Sequence, residues 1–444
     1  MNLSFKDTPC GRICGIENED YLEFRGIRYA TAGRWEYPEE VTGWGEEHYD
    51  ATEYGANCFQ RRAFEEDSEC NPFYHKEFRE GLEFHYSEDC LFLNIWAPKD
   101  AEKVPVIVYI HGGSFTGGSN DEGHVIGAEY AKRGVILASM NYRLGPYGFC
   151  SHPDLKDRLG RIGNYGLYDQ FMAVKWLRHN VQAFGGDPDR IILMGESAGA
   201  MSVDIQLNNP WSLGYYKGAI LMSGAAIQRQ AGRPLKPERT RDFWDTIIKK
   251  AGCNNIEELR RVDEKTLFYA WFDAQKEFKL SPLYTIPTKD GIIIKDKNFT
   301  MDTIPRLPIM VGVTTADMAA AVLLELTKRF SKKAIKNGSD CYVYCFARDL
   351  PGDNLGAWHA SDLFYAFNTF DVSWRPWEDI DRKISDEFMS SIIAFARTGN
   401  PNNDKIPEWK IGFDNPMMFN ENTGTGKWDR KLYIHNTLHN DGPI

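Results

Sequence analysis

The feature that most constrains this chain is a set of six short, unbroken apolar runs. They are "VPVIVYI" (104–110), "GVILASM" (134–140), "IILM" (191–194), "GAILMS" (218–223), "LPIMVGV" (307–313) and "CYVYCFA" (341–347). A strand covered on one face alternates apolar with polar residues; a strand covered on both faces does not. The runs therefore predict a mostly parallel sheet with helices on both sides. Helical patterns lie between them. In "LYDQFMAVKWLRHNVQAFGG" the residues Phe171, Val174, Leu177 and Val181 recur at helical spacing, and the pattern stops at Gly185-Gly186. In "ISDEFMSSIIAFARTGNP" one face carries Ile384, Phe388, Ile392 and Phe395, with Gly399 and then Pro401 at the end. Strands alternating with helices read as an open α/β sheet, whose sites lie at the carboxyl ends of strands.

The chain has 444 residues, 42% hydrophobic and 26% charged, an ordinary globular composition. It carries 52 basic and 63 acidic residues, a formal charge of −11, with no long Lys/Arg cluster. That balance argues against nucleic acid or an anionic membrane surface as partner. No run approaches the roughly 18 apolar residues of a membrane helix. The opening "MNLSFKDTPCGRIC" has no apolar stretch and no cleavage site, so no signal peptide is read and the expected location is cytoplasmic. Nine cysteines at irregular spacing suggest free thiols. The pairs Cys10/Cys14 and Cys341/Cys345 lack the tighter spacing and histidine partners of a metal site, so no metal is expected and Cys341 and Cys345 read as core. No repeat, low-complexity segment or linker interrupts the chain. Residues 1–444 are expected to form one domain, and no feature specifies an oligomeric state.

The "IILM" run ends in Gly195-Glu196-Ser197-Ala198-Gly199. The pattern fits a structural turn, or a turn that exposes a serine nucleophile at a strand-to-helix junction. Glycines permit the close backbone approach, and the helix start favours developing negative charge. A second element follows "VPVIVYI": His111-Gly112-Gly113 in "HGGSFTGGS". Acyl transfer places negative charge on a carbonyl oxygen, which backbone N–H groups must meet. The candidates are Gly112 and Gly113, joined by Ala198 after the serine. A phosphate-loop reading fails for want of its lysine, and His111 reads as part of the turn. A serine needs a base, usually histidine. Downstream lie only His359, His435 and His439; His359 follows "CYVYCFA" at a strand end. The acid belongs between Ser197 and His359. Asp317 follows "LPIMVGV" by a few residues; Asp273, Asp290, Asp340 and Asp353 are rivals, and Asp317 could instead cap the next helix. An ordinary histidine titrates near about 6.5, which places the acidic limb of activity at roughly pH 6–7.5.

Taken together, "RGIRYA", "SEDCLFLNIWAP", "HGGSFTGGS", "NYRLGPYGF", "GNYGLYDQ", "FGGDP", "GESAGA", "GVTTAD" and "GAWHASDLFYAF" resemble, in order, the motifs of the type-B carboxylesterase/lipase family. That family includes the cholinesterases and has the α/β-hydrolase fold. The resemblance implies Ser197 as nucleophile, His359 as base and Asp317 as acid. It also implies Gly112, Gly113 and Ala198 as oxyanion donors, with Ser223 and Glu196 beside the triad, a small-molecule ester as substrate and no cofactor. Three departures stand out. Asp317 replaces the usual Glu. Acid and base are only 359 − 317 = 42 residues apart, which predicts a shortened cap and a more open site. The aromatic that cholinesterases use for quaternary ammonium has no clear match, with Phe84 and Tyr86 merely nearby. The same triad could serve an amidase or transacylase. A non-catalytic cholinesterase-like binding protein would be expected to have lost the nucleophile. The stretches "FYHKEFREGLEFHY" and "LFYAWFDAQKEF" are candidates for lining the acyl and alcohol pockets, or are core aromatics.

Overall fold

The computed structural model describes residues 2–45, 47–231, 234–278, 286–295 and 299–439. Its centre is a sheet of thirteen strands. These are β1 (Asn2–Thr8), β2 (Gly11–Glu17), β3 (Tyr21–Arg28), β4 (Tyr49–Asp50), β5 (Phe92–Pro98), β6 (Val104–Ile110), β7 (Ile136–Met140), β8 (Gly186–Glu196), β9 (Gly218–Met222), β10 (Ile309–Thr314), β11 (Cys341–Phe346), β12 (Gly412–Phe419) and β13 (Gly424–Thr425). Their order is β1-β2-β3-β5-β7-β6-β8-β9-β10-β11-β12-β13, with β4 beside β2. The seven strands from β7 to β12 in that order run parallel; β1, β2, β3 and β5 pair antiparallel along the order, as does β13, and β4 lies parallel to β2.

All six apolar runs are strands, as their unbroken hydrophobicity requires. "IILM" is the buried end of a longer strand whose first residues, Gly186 to Arg190, include polar and partly exposed positions. The helices that cover the sheet include α1 (Tyr165–Asn180), α2 (Ala198–Gln206), α4 (Ala320–Lys336) and α5 (Asp379–Thr398), whereas α3 (Glu264–Gln275) packs against the helix Arg241–Lys250. Side chains alternate across β6. Val106, Val108 and Ile110 join an apolar cluster with Val174 and Leu177 of α1, Val203 of α2 and Phe330 of α4. On the other face, Ile107 and Tyr109 join Ile384, Phe388, Ile392 and Phe395 of α5. Each such side chain, fully buried, contributes about 1.5–3 kcal/mol. Phe171 is only half-buried at the edge of its stripe. Gly399, at φ 76°, closes α5 in the left-handed conformation glycine tolerates.

Between Asp317 and His359 the chain holds only α4, β11 and their connections, so the short interval contributes little beyond one helix and one strand. All nine cysteines are free, and Cys341 and Cys345 lie in the core. Among the described residues, no helix is long and apolar enough to cross a membrane.

Candidate active site

Strand β8 ends at Glu196, and Ser197 turns the chain into α2 with φ 53° and ψ −121°. A non-glycine residue at positive φ costs about 1–3 kcal/mol and must be held by its surroundings. Two glycines make the turn possible. A Cβ on Gly195 would lie 2.4 Å from the Gly199 carbonyl carbon, and one on Gly199 would lie 1.9 Å from the Ile110 carbonyl oxygen. The Ser197 N–H donates to the Met222 carbonyl at 2.9 Å, tying the turn to β9. The Ser197 hydroxyl makes no capping bond to α2 and is left half-exposed at the positive end of that helix. Ala198, the first residue of α2, is fully buried.

The loop after β6 comes close to this turn. A Cβ on Gly112 would meet Glu196 Oε2 at 2.7 Å and Ser197 Cβ at 3.1 Å, and Gly113 has φ 100°. The His111 ring faces its own loop. Its Nδ1 donates to the Gly112 carbonyl at 2.8 Å, and the ring stacks on Tyr142 with centroids 4.5 Å apart. Burial lowers its pKa to about 4.

Beyond β10, Asp317 is fully buried. Its Oδ2 accepts from Ser223 Oγ at 2.6 Å and from the Thr314 N–H at 3.2 Å; its Oδ1 lies 2.6 Å from His359 Nδ1. The Ala316 N–H donates to the Ala357 carbonyl at 3.0 Å, which holds the two segments in register. The start of α4 is capped by Ala319 backbone without a side-chain bond, so Asp317 is not a helix cap. The rival carboxylates are engaged elsewhere. Asp273 pairs with Lys276 at 2.7 Å, Asp290 accepts from Tyr168 Oη at 3.0 Å, Asp353 pairs with Arg375 at 2.5 Å, and Asp340 is exposed. His435 is exposed on the carboxyl-terminal helix, and the His439 side chain lies outside the described residues.

The other ring nitrogen, His359 Nε2, is 3.2 Å from Glu196 Oε1. Among the described residues no hydrogen bond joins the Ser197 hydroxyl to His359, although both line the same cavity. Burial pushes the Glu196 carboxyl up to about 8, against the opposing pull of His359. Burial also disfavours the His359 imidazolium, but the carboxylates of Glu196 and Asp317 outweigh it and raise His359 to about 9. His359 therefore lies above the ordinary value of about 6.5. Asp362, fully buried nearby, is pushed up to about 7 by burial and accepts from Tyr344 Oη at 3.0 Å.

Ser197, His359, Gly112 and Gly113 line one cavity of about 350 Å³. The first aromatic stretch supplies Tyr74 and Phe78 to its wall; the second supplies none. Phe268 of α3 instead packs against Phe64 and Trp271, as core. Phe84 and Tyr86 carry the Arg62 guanidinium, 4.4 and 6.0 Å from their ring centres. Arg62, Arg79, Glu122 and His124, which no sequence motif singled out, also line the cavity.

A serine turn at the end of a central parallel strand, with an Asp–His pair on the loops after two later strands, is an arrangement found in α/β-hydrolases. The chain belongs to the carboxylesterase family, whose family model matches residues 4–337 and 321–433. It is 29% identical to the para-nitrobenzyl esterase of Bacillus subtilis (strain 168), over 98% of this chain and 97% of the relative. It is 35% identical to the bile salt-activated lipase of Mus musculus over 84% of this chain. The chain spans 60% of that lipase's length and 47% of its Rattus norvegicus counterpart's. A solved structure of PNB esterase superposes with a TM-score of 0.83 at 25% identity, covering 98% of this chain and 99% of that one.

Proposed function

We propose that this chain is a serine carboxylic ester hydrolase acting on small-molecule esters through an acyl-enzyme. One observation carries the reading: an imidazole held 2.6 Å from a buried carboxylate lines the same cavity as a serine on a strained turn. Ser197 Oγ attacks the acyl carbon, and His359 takes its proton and delivers it to the leaving alcohol. Asp317, itself held by Ser223 and Thr314, fixes the Nδ1–H tautomer and stabilises the imidazolium. The N–H groups of Gly112, Gly113 and Ala198 receive the oxyanion. Water, activated by His359, then releases the acid. The chemistry needs no cofactor. One sheet running from Asn2 to Thr425 supports a single domain over residues 1–444, and nine free thiols support a cytoplasmic location. The test is covalent labelling by a fluorophosphonate together with Ser197→Ala. Labelling at Ser197 and loss of hydrolysis are expected; a Ser197→Ala protein that still turns over 4-nitrophenyl acetate would refute the assignment.

A further inference from the structure

One wall of the cavity is polar to a degree that a plain alkyl or aryl ester does not require. Arg62, Arg79, Glu122 and His124 line it, with side chains 5%, 9%, 8% and 6% exposed. Arg62 Nε donates to Gln60 Oε1 at 3.0 Å, and its Nη2 donates to Ser119 Oγ at 2.9 Å and lies 3.0 Å from Glu122 Oε1. Arg79 is clamped by Asp67 at 2.5 and 3.0 Å. The His124 ring is fixed by stacking on Phe78, centroids 3.7 Å apart.

Two buried atoms of this wall, Arg62 Nη1 and His124 Nδ1, lack a hydrogen-bond partner, whereas Glu122 Oε1 is ion-paired 3.0 Å from Arg62 Nη2. Buried polar atoms are costly to leave unpaired, so a wall that carries a spare guanidinium donor beside an imidazole kept neutral by burial points to a polar ligand. The charges decide what kind. Arg62 and Arg79 are matched by Asp67 and Glu122, two cations against two anions. Burial would raise the Glu122 carboxyl, but Arg62 and Arg79 outweigh it and keep Glu122 ionised. An anionic substituent would have to compete with Asp67 and Glu122 for the arginines. A cationic one would have to displace Arg62 and Arg79 from Glu122 and Asp67. A neutral group that both donates and accepts fits the balance.

We propose that this wall binds a hydroxylated, polyol- or sugar-like portion of the ester substrate, an inference that rests on the esterase reading above. The test compares kcat/KM within two size-matched pairs: 6-O-acetylglucose against cyclohexylmethyl acetate, and ethyl gluconate against ethyl hexanoate. 4-Nitrophenyl acetate serves as the common reference. The hydroxylated member of at least one pair is expected to be favoured about tenfold or more, the effect of one or two new hydrogen bonds. That ratio is expected to collapse toward unity in Arg62→Met and in His124→Leu. Because it is a ratio within one preparation, the folded fraction cancels, and the wild-type ratio decides alone if a variant fails to fold. No preference in either pair, or a preference that survives both substitutions, overturns the proposal. So does a stronger preference for the acetate of 4-(hydroxymethyl)cyclohexanecarboxylate, which would mark an anion site. Wild-type protein inert toward 4-nitrophenyl acetate would instead overturn the esterase reading, and this inference with it.

Discussion

Replacing Glu196 by glutamine removes a carboxylate 3.2 Å from His359 Nε2 while keeping its shape. Two unit charges at that distance interact by about 1.3 kcal/mol in bulk water and about 5 kcal/mol at an effective dielectric of about 20. One pKa unit corresponds to about 1.4 kcal/mol, so the charge is worth between about one and four units on the histidine. On the mechanism proposed above His359 is the general base and must be deprotonated, so kcat/KM is expected to rise with pH through its titration. In the wild type that limb is expected above the ordinary value of about 6.5, because His359 is raised to about 9. Glu196 is itself pushed up to about 8, so it contributes its full charge only at the upper end of this range. In Glu196→Gln the limb is expected to move toward acid by at least about one unit, with burial of the ring now acting unopposed at Nε2. The assay is kcat/KM for a 4-nitrophenyl ester, read at the isosbestic wavelength from about pH 5 to 10. A limb that stays put, or moves toward alkali, would refute the assignment of Glu196 as the charge that raises this base.

Asp317→Asn is expected to lower kcat by at least about a hundredfold with circular dichroism unchanged, since loss of the orienting acid costs about 10⁴ in a serine protease. Asp290→Asn and Asp353→Asn should keep turnover, and the opposite pattern would show that the acid is another residue. Gly199→Ala drives a Cβ to 1.9 Å from the Ile110 carbonyl oxygen and should destabilise by about 3 kcal/mol or more. Gly43→Ala meets nothing nearer than 3.9 Å and should be near neutral; equal urea midpoints for the two would count against a tight strand–helix contact. Asp362 has a folded pKa of about 7 against an ordinary 3.8, so its favourable contribution is present at low pH and is lost as pH rises through about 7. The Tm of Asp362→Asn relative to wild type should therefore increase from pH 5 to pH 8, by the equivalent of roughly 2.5 kcal/mol, because the loss begins above about pH 4 and is complete near pH 7; a difference independent of pH would exclude the shift.

What could be read from the sequence, and what could not, follows from how each part is stabilised. The parallel strands were legible because burial on both faces leaves no polar position to break the run. Strand β1, "NLSFKDT", is exposed or half-exposed throughout, and β12, "GFDNPMMF", places Asp414 and Asn415 in solvent, so neither carries that signature. The placement of Ser197, Asp317 and His359 beyond strand ends was legible because each follows an unbroken apolar run in the chain. Arg62, Glu122 and His124 meet across loops some sixty residues apart, and loop polarity has no period from which such a meeting could be inferred. Aromatic richness likewise does not separate pocket from core: Tyr74 and Phe78 line the cavity, while Phe268 and Trp271 pack inside.

The order of the parallel strands also bears on how the protein matures. Ser197 follows β8, Asp317 follows β10 and His359 follows β11, so nucleophile and base are 359 − 197 = 162 residues apart along the chain. Contacts between such distant segments form slowly, because a long loop must close before any interaction repays it. A nascent chain that has emerged only as far as α4 holds the strained serine turn but no base. If the proposed function holds, hydrolysis is the last property expected to appear during synthesis or refolding, reporting the docking of β11 and the loop behind it rather than the earlier appearance of helix and sheet.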